Sequence, residues 1–244
     1  MSSLYLDEAL ELRALVPGDT VELAGDEARH AVAVARVRVG ERLSIGDGRG
    51  TIVRGEVVAT APRALSLAVG EVLLTERAAP SIALVQALAK GDRDELAVQA
   101  ATELGVDRIV PWAAARSVSR WEGPKADKGR LRWATIAREA AKQSIRAWLP
   151  EVDEVTATAH LPRRLDGARL LVLEPTAEVA LTDLSFDGRD LALIVGPEGG
   201  IAPSELDGLA AAGAEAVRLG ASVLRTSTAG PAAIAVISAA LGRW

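Results

Sequence analysis

Short apolar runs alternate with helix-like segments over the last two-thirds of this sequence. The runs are continuous rather than alternating, as in strands that are buried on both faces of a sheet. They are SIALVQALA (81–89), DRIVPWAA (107–114), RLLVLEP (169–175), DLALIVG (190–196) and EAVRLG (215–220). Strands that alternate with helices along the chain form a parallel α/β sheet. The pattern therefore predicts an α/β domain.

The segments between these runs carry helix start and stop signals. Asp92 is predicted to cap a helix that ends before Gly105, because an acidic residue favours the N-cap and glycine the C′ position. A long basic helix is predicted over residues 125–147, stopped by Pro150. A last helix over residues 229–242 is almost wholly apolar and must be covered by the core or by a second subunit.

The first 70 or so residues have a different pattern, with short β-branched strands between glycine-containing turns. The predicted strands are TVELAG (20–25), ERLSIGDG (41–48), TIVRGEVVAT (51–60) and ALSLAVGEV (64–72). One short helix is predicted near residues 26–35, capped by Asp26. We predict two domains: a small β-barrel over residues 1–72 and the α/β domain over residues 73–244.

Composition excludes several classes of site. The chain has no cysteine, which removes disulfides, thiolate metal sites and cysteine nucleophiles, and its two histidines make a histidine-rich metal site improbable. We therefore expect no metal. The N-terminus has no signal-peptide pattern, and the most apolar stretch, residues 232–242, is about half as long as a membrane span. The expectation is a soluble, cytoplasmic protein without a membrane partner.

Positive charge is concentrated in one stretch of an otherwise acidic chain. The net charge is −5, yet residues 108–148 hold ten basic residues against three acidic ones, together with four of the five tryptophans. This favours a localised contact with a polyanion such as RNA, with Trp121 as a candidate for stacking on a base. A solvated helix whose tryptophans are core is the equally open alternative.

Three loops follow strands and are predicted to meet at one edge of the sheet, where α/β proteins bind ligands. They are residues 173–176, 196–205 and 219–230. The second, GPEGGIAPSE, matches neither the dinucleotide fingerprint nor the P-loop. Its glycines allow close approach of the backbone to a ligand, and Glu198 disfavours a pyrophosphate. A tight strand-to-helix turn without ligand remains the alternative.

Four segments, in this order, resemble the RsmE family of SPOUT methyltransferases. They are RHAVAVARVRVGERLSIGDG (29–48), KGDRDELAVQAATELGVDRIVPWAAARSVSRW (90–121), REAAKQSIRAWLPEV (138–152), and GPEGG (196–200) with LGASVLRTSTA (219–229). The resemblance covers most of the chain. It implies a SPOUT-type parallel sheet with a C-terminal trefoil knot, preceded by a PUA-like β-barrel that binds RNA.

The resemblance also implies an activity, a cofactor and partners. Members of the family transfer a methyl group from S-adenosylmethionine to N3 of a uridine in 16S ribosomal RNA of the small subunit, and they work as homodimers. A second subunit would cover the apolar helix at residues 229–242. Two alternatives stay open: a knotted methyltransferase acting on tRNA, and a non-enzymatic RNA-binding protein.

The predicted site residues divide into a substrate group and a cofactor group. Arg116 and Arg146 are candidates for gripping the target nucleotide or its phosphates, and Gln143 for reading a base edge. Ser227 and Lys142 stand where the family commonly has glutamate, so no general base is assigned. The predicted cofactor-binding residues are Leu173, Glu174, Pro175, Gly196, Pro197, Glu198, Gly199, Gly200, Leu219, Gly220, Val223, Leu224, Arg225, Thr226 and Thr228.

Overall fold

The computed structural model describes residues 4–244, which divide into two compact units. The first comprises the described part of Met1–Arg77 together with Ala141–Leu149, and the second comprises Ala78–Ala140 and Pro150–Trp244. The domain boundary at residues 72 and 73 stays a prediction. Residues 141–149 resemble the preceding helix in composition, so the sequence does not indicate that they belong to the first unit.

The first unit is built on a five-stranded sheet with the order β1-β3-β4-β5-β2. Its strands are β1 (Leu4–Leu6), β2 (Thr20–Ala24), β3 (Arg42–Gly46), β4 (Thr51–Ala61) and β5 (Ala64–Leu74). All neighbours are antiparallel except β1 and β3, which are parallel. Leu23, Ile45 and Leu67 are fully buried in its core. The four predicted strands are confirmed, whereas β1 has only three residues and too short a pattern to predict.

The short helix of the first unit begins as predicted but is capped differently. Helix α1 (Gly25–Arg29) continues into a π-helical turn, His30–Val34. The prediction that Asp26 caps it is wrong, because the N-cap is Ala24 and Asp26 lies inside the first turn. The Asp26 carboxylate instead pairs with Arg63 at 3.1 Å.

The second unit contains the predicted parallel sheet. Its strands are β6 (Ile82–Ala87), β7 (Arg108–Ala113), β8 (Glu151–Val152), β9 (Thr156–Ala157), β10 (Arg169–Leu173), β11 (Leu191–Val195) and β12 (Glu215–Val217). They follow the order β12-β10-β11-β6-β7-β8, with β9 also paired to β7, and every pairing is parallel. Leu84 and Leu193 are fully buried on the central strands. The α/β prediction is confirmed.

Five further α-helices lie among residues 4–244, and one of them ends earlier than predicted. They are α2 (Arg93–Glu103), α3 (Pro124–Gln143), α4 (Leu161–Arg164), α5 (Pro203–Ala211) and α6 (Thr226–Ala240). Helix α3 stops at Gln143 rather than at residue 147, because Ile145 adopts a left-handed φ of 55°. The Arg146 N–H then donates to the Ala141 carbonyl at 2.9 Å, which closes the helix end well before Pro150.

The start of α2 also differs from the prediction. The Asp92 side chain caps nothing, although Asp92 occupies the N-cap position. The buried Asp94 carboxylate instead accepts the N–H groups of Ala89 at 3.0 Å and Glu95 at 2.9 Å. Burial raises the pKa of Asp94 in spite of these hydrogen bonds. At the other end Gly105 has a φ of 97°, which confirms the predicted helix stop.

The path of the chain after β12 brings the predicted loops together. Strand β12 lies at the sheet edge beside β10, whereas the next element, α6, packs on β11, β6 and α2. To reach them the chain passes the 174–190 connection, where Ala180 and Arg218 form a parallel bridge. The carboxyl ends of β10, β11 and β12 therefore open at one place.

Candidate cofactor site

A cavity of about 460 Å³ lies at the carboxyl ends of β10, β11 and β12. This volume is within the range of small-molecule sites, about 300–1,000 Å³. Its walls are mainly apolar side chains and loop backbone, including Leu173, Val195, Ile201 and Leu219. An apolar pocket with exposed backbone polar groups suits a ligand that has a flat heterocycle.

The predicted cofactor-binding residues line this cavity, except for Gly199 and Thr228. Thr228 lies in the first turn of α6, where its hydroxyl donates to the Arg225 carbonyl at 3.1 Å. Further lining residues were not predicted: Arg93, Val195, Ile201, Val217, Arg218, Ser222 and Ala229. Most of these are strand ends or loop neighbours of predicted residues, whereas Arg93 comes from α2.

The glycine loop (residues 196–200) turns tightly between β11 and α5. Gly200 has a φ of 72°, and its N–H donates to the Pro197 carbonyl at 2.9 Å. A Cβ at Gly196 would lie 2.7 Å from Cγ1 of Ile201, so a side chain there is excluded. A Cβ at Gly199 would come no closer than 3.4 Å to Arg116, which is ordinary contact. The two glycines therefore have different roles.

A buried relay of hydrogen bonds holds the first residue of the glycine loop. Gln86 Nε2 on β6 donates to Thr226 Oγ1 at 2.8 Å, and the Thr226 hydroxyl donates to the Gly196 carbonyl, also at 2.8 Å. Gln86 is fully buried and Thr226 nearly so. Polar groups at such burial are costly unless they are paired, so this relay fixes the loop against the start of α6.

Glu198 latches the glycine loop to the start of α2. Its Oε1 accepts the Lys90 N–H at 3.1 Å and Arg93 Nη1 at 2.7 Å. Burial works to raise the pKa of Glu198, but hydrogen bonds from its own backbone, from Arg93 and from Lys90 outweigh it and hold the pKa below the ordinary 4.5. The negative charge predicted to disfavour a pyrophosphate is thus already compensated by Arg93.

Replacing Glu198 with glutamine is expected to weaken S-adenosylmethionine binding about two- to fivefold, since an exposed ion pair contributes about 1 kcal/mol or less. The glutamine keeps an acceptor for Lys90 but loses the ionic bond to Arg93. Isothermal titration measures the change, with Asp166→Asn as a control that removes an exposed carboxylate outside the cavity. Equal affinity in wild type and Glu198→Gln would contradict a role for the latch.

The hydrogen bonds of the Glu198 carboxylate with Lys90 and Arg93 should also persist in mild acid. A carboxylate with a lowered pKa contributes its full stabilisation above its unfolded value and loses it only as the pH falls through the folded value. Because the pKa of Glu198 is held below its ordinary value, any loss of cofactor affinity on protonation of Glu198 should begin at a lower pH than for an ordinary glutamate.

Arg116 reaches across from the loop after β7 to the glycine loop. Its Nη1 donates to the Gly199 carbonyl at 3.0 Å and to the Ile201 carbonyl at 3.4 Å. Within residues 4–244, Nε and Nη2 of this exposed side chain have no hydrogen-bond partner. Arg116 belongs to the second unit, whereas Gln143 and Arg146 belong to the first.

The chain is similar to known RNA methyltransferases. An RNA methyltransferase domain model matches residues 76–238, and an RNA methyltransferase PUA domain model matches residues 23–69. The chain is 43% identical to ribosomal RNA small subunit methyltransferase E of Mycobacterium bovis, over 93% of this chain and 89% of that protein. The chain belongs to the RsmE family of RNA methyltransferases.

Further RsmE relatives extend the likeness to solved structures. The protein of the same name from Bacillus subtilis is 32% identical over 90% of both chains. The crystal structure of the Neisseria gonorrhoeae protein bound to S-adenosyl methionine has a TM-score of 0.87 and 27% identity, covering 98% of each chain. The SPOUT-type fold with a PUA-like first unit is thereby confirmed.

The two departures from the RsmE pattern have different surroundings. Ser227 is half-buried in the first turn of α6, next to the relay residue Thr226. Lys142 is mostly buried in the first unit, where it pairs with Glu27 at 3.0 Å. A glutamate at position 142 would repel Glu27, so the lysine is suited to its place.

Among residues 4–244, no group of three or more histidine, cysteine, aspartate or glutamate side chains could hold a metal ion. No helix in the same part of the chain is both long and apolar enough to cross a membrane.

Proposed function

We propose that this protein is an S-adenosylmethionine-dependent methyltransferase that methylates N3 of a uridine in 16S ribosomal RNA. The observation that carries the proposal is the cavity at the glycine loop, with the buried Gln86–Thr226–Gly196 relay behind it. Membership of the RsmE family and the printed names of its relatives support the ribosomal substrate.

The cavity fits the cofactor in size and in chemistry. Apolar walls at Leu173, Val195 and Leu219 would enclose the adenine, and the backbone of the glycine loop and of residues 219–225 would hydrogen-bond its edge. When bound, S-adenosylmethionine supplies an electrophilic methyl group on its sulfonium. A Cβ at Gly196 would lie 2.7 Å from Cγ1 of the buried Ile201, so the absence of a side chain lets the glycine loop keep the turn that lines the cavity.

Arg116 is proposed to stabilise the reacting uracil. Methylation at N3 requires loss of the imide proton, which leaves negative charge on the ring. A guanidinium stays protonated, so Arg116 cannot accept that proton, but its Nε and Nη2 can donate to the anion. Glu198 is a poor base as well. Its lowered pKa and its ion pair with Arg93 stabilise the ionised carboxylate, which therefore accepts a proton only weakly.

The first unit is proposed to bind the substrate RNA. The PUA match supports RNA binding by this unit, which we assign to residues 1–72 with the methyltransferase domain at 73–244. Arg146 is proposed to contact phosphate and the exposed Gln143 to read a base edge.

We further propose a homodimer that acts in the cytoplasm on 16S ribosomal RNA or the small subunit. Helix α6 supports the dimer, because Ala232, Ala235 and Val236 form a half-exposed apolar face that a second copy would cover. Sedimentation of the purified protein tests this: a monomer at micromolar concentration would contradict it.

The test of function is to incubate the protein with labelled cofactor and either small ribosomal subunits or tRNA. We expect label in 16S ribosomal RNA, recovered after nuclease digestion as N3-methyluridine. Label in tRNA would favour the knotted tRNA methyltransferase. RNA binding without any S-adenosylmethionine binding by titration would favour the non-enzymatic alternative.

A further inference from the structure

A second cavity of the second unit lies between the start of α2, the loop before α3 and the first half of α3. Its volume is about 650 Å³, and we call it the α2–α3 cleft. Three of the four lysines of the chain line it: Lys90, Lys125 and Lys128. All three are exposed, and none has a side-chain hydrogen bond or ion pair among residues 4–244.

The other charges of the cleft are already satisfied. Arg132 forms a bidentate pair with Glu95, at 3.1 and 2.8 Å. Asp94 is buried and accepts two backbone N–H groups. Arg120 donates to the carbonyls of Ala114 and Ala115 and keeps its full charge, since carbonyls are neutral. The cleft is therefore positive, with three mobile ammonium groups at its surface.

Three other cations of the basic stretch have carboxylate partners within the chain. Arg108 is paired with the buried Asp153 at 2.7 Å, Arg138 lies 3.4 Å from Glu139, and Lys142 is paired with Glu27. Within the basic stretch, Arg120, Lys125 and Lys128 therefore bring uncompensated positive charge to the cleft.

The cleft adjoins the cofactor cavity. Lys90 lines the cleft, and its N–H holds Glu198, which lines the cofactor cavity with Arg93. The loop after β7 likewise joins the two, with Arg116 at the glycine loop and Arg120 in the cleft. A chain of phosphates bound in the cleft would lead to the place where the methyl group is transferred.

Trp121 forms part of the cleft wall and is packed against α3 on one face. Its indole lies on Gly129, where a Cβ would come within 2.4 Å of the ring, and meets Trp133 edge-on with ring centroids 5.0 Å apart. A ring packed on one face against the helix is fixed. Recognition by the cleft would then depend on charge, which does not read sequence.

We propose that the α2–α3 cleft binds the ribose-phosphate backbone of the RNA that flanks the methylated nucleotide. Lys90, Lys125 and Lys128 would each contact a phosphate. This inference rests on the proposed function, because it takes its ligand to be the substrate RNA. Its chemistry is independent of base identity and predicts a salt-dependent contribution to affinity.

The test compares the Lys125→Ala/Lys128→Ala double variant with wild type in binding protein-free 16S ribosomal RNA between about 50 and 200 mM salt. Both lysines are exposed on α3, so alanine preserves the helix. We expect affinity to fall roughly tenfold and the slope of log affinity against log salt to decrease by about 0.7–1 for each lysine removed. Arg163→Ala is the control, since Arg163 is an exposed cation outside the cleft with no partner in residues 4–244.

Three results would overturn the inference: an unchanged salt slope, unchanged affinity, or an equal loss in Arg163→Ala. S-adenosylmethionine affinity should be the same in all three proteins. Failure of the proposed function would look different, because wild type would then bind no cofactor or methylate no 16S ribosomal RNA, whatever the cleft variant does. With small subunits as substrate, we expect the double variant to raise KM about tenfold and to leave kcat near wild type.

Discussion

Arg116→Ala is expected to lower kcat for methylation of small ribosomal subunits about 100-fold, in line with the loss of a donor that stabilises transition-state charge. The S-adenosylmethionine Kd should rise no more than about fivefold, because the loop loses only the two hydrogen bonds from Nη1, at 3.0 and 3.4 Å. The two effects should differ because Nε and Nη2 have no hydrogen-bond partner within residues 4–244 and so can donate to the substrate. Single-turnover methyl transfer and titration measure the two effects separately.

A matched pair of variants separates charge from geometry at this position. Arg116→Lys keeps the positive charge but has one nitrogen instead of three, so it should hold either the Gly199 carbonyl or the substrate. We expect a kcat between those of wild type and Arg116→Ala. Arg163→Ala should leave both kcat and Kd unchanged. If Arg116→Ala weakened cofactor binding as much as turnover, Arg116 would serve only to support the glycine loop.

The existence of the site could be predicted because its signals are local. Three glycines in five residues after a buried strand require a tight turn wherever the sheet places them. Parallel strands then bring the loops after β10, β11 and β12 to one edge, so most lining residues follow from chain position alone.

Contacts between distant segments could not be predicted in the same way. Arg93 is 105 residues from Glu198, and nothing in a capping pattern indicates that its side chain turns toward a loop of the sheet. The difference between Gly196 and Gly199 is also tertiary, since it is set by Ile201 and Arg116. In the local sequence the two glycines are equivalent.

The helix ends show how tertiary context changes a local preference. Asp92 and Asp94 are equally good caps by composition, yet Asp94 is the one directed at the free N–H of Ala89. At the end of α3, a β-branched isoleucine occupies a left-handed conformation that favours glycine. Helix propensity gives no reason for the helix to end before Ile145, so the sequence predicts that α3 continues to residue 147, close to Pro150.

A second large effect is expected at Gly196, where the contact with Ile201 leaves no room for a side chain. Gly196→Ala is expected to weaken S-adenosylmethionine binding on the order of 10- to 100-fold, because its Cβ would meet Ile201 Cγ1 at 2.7 Å. Ile201 is buried, with 5% of its surface exposed, so it cannot swing aside and the loop must shift. The shift would also strain the hydrogen bond from Thr226 to the Gly196 carbonyl. Isothermal titration of each variant measures the loss.

The neighbouring glycine supplies the control for Gly196→Ala. Gly199→Ala should change Kd by about twofold at most, since its Cβ comes only within 3.4 Å of Arg116 and Gly199 does not line the cavity. In the double variant Gly196→Ala/Ile201→Ala the colliding carbon is removed, so part of the affinity should return and the two substitutions should be non-additive. Comparable losses at Gly196 and Gly199 would instead mean that the backbone freedom of the whole loop, rather than one steric contact, determines cofactor binding.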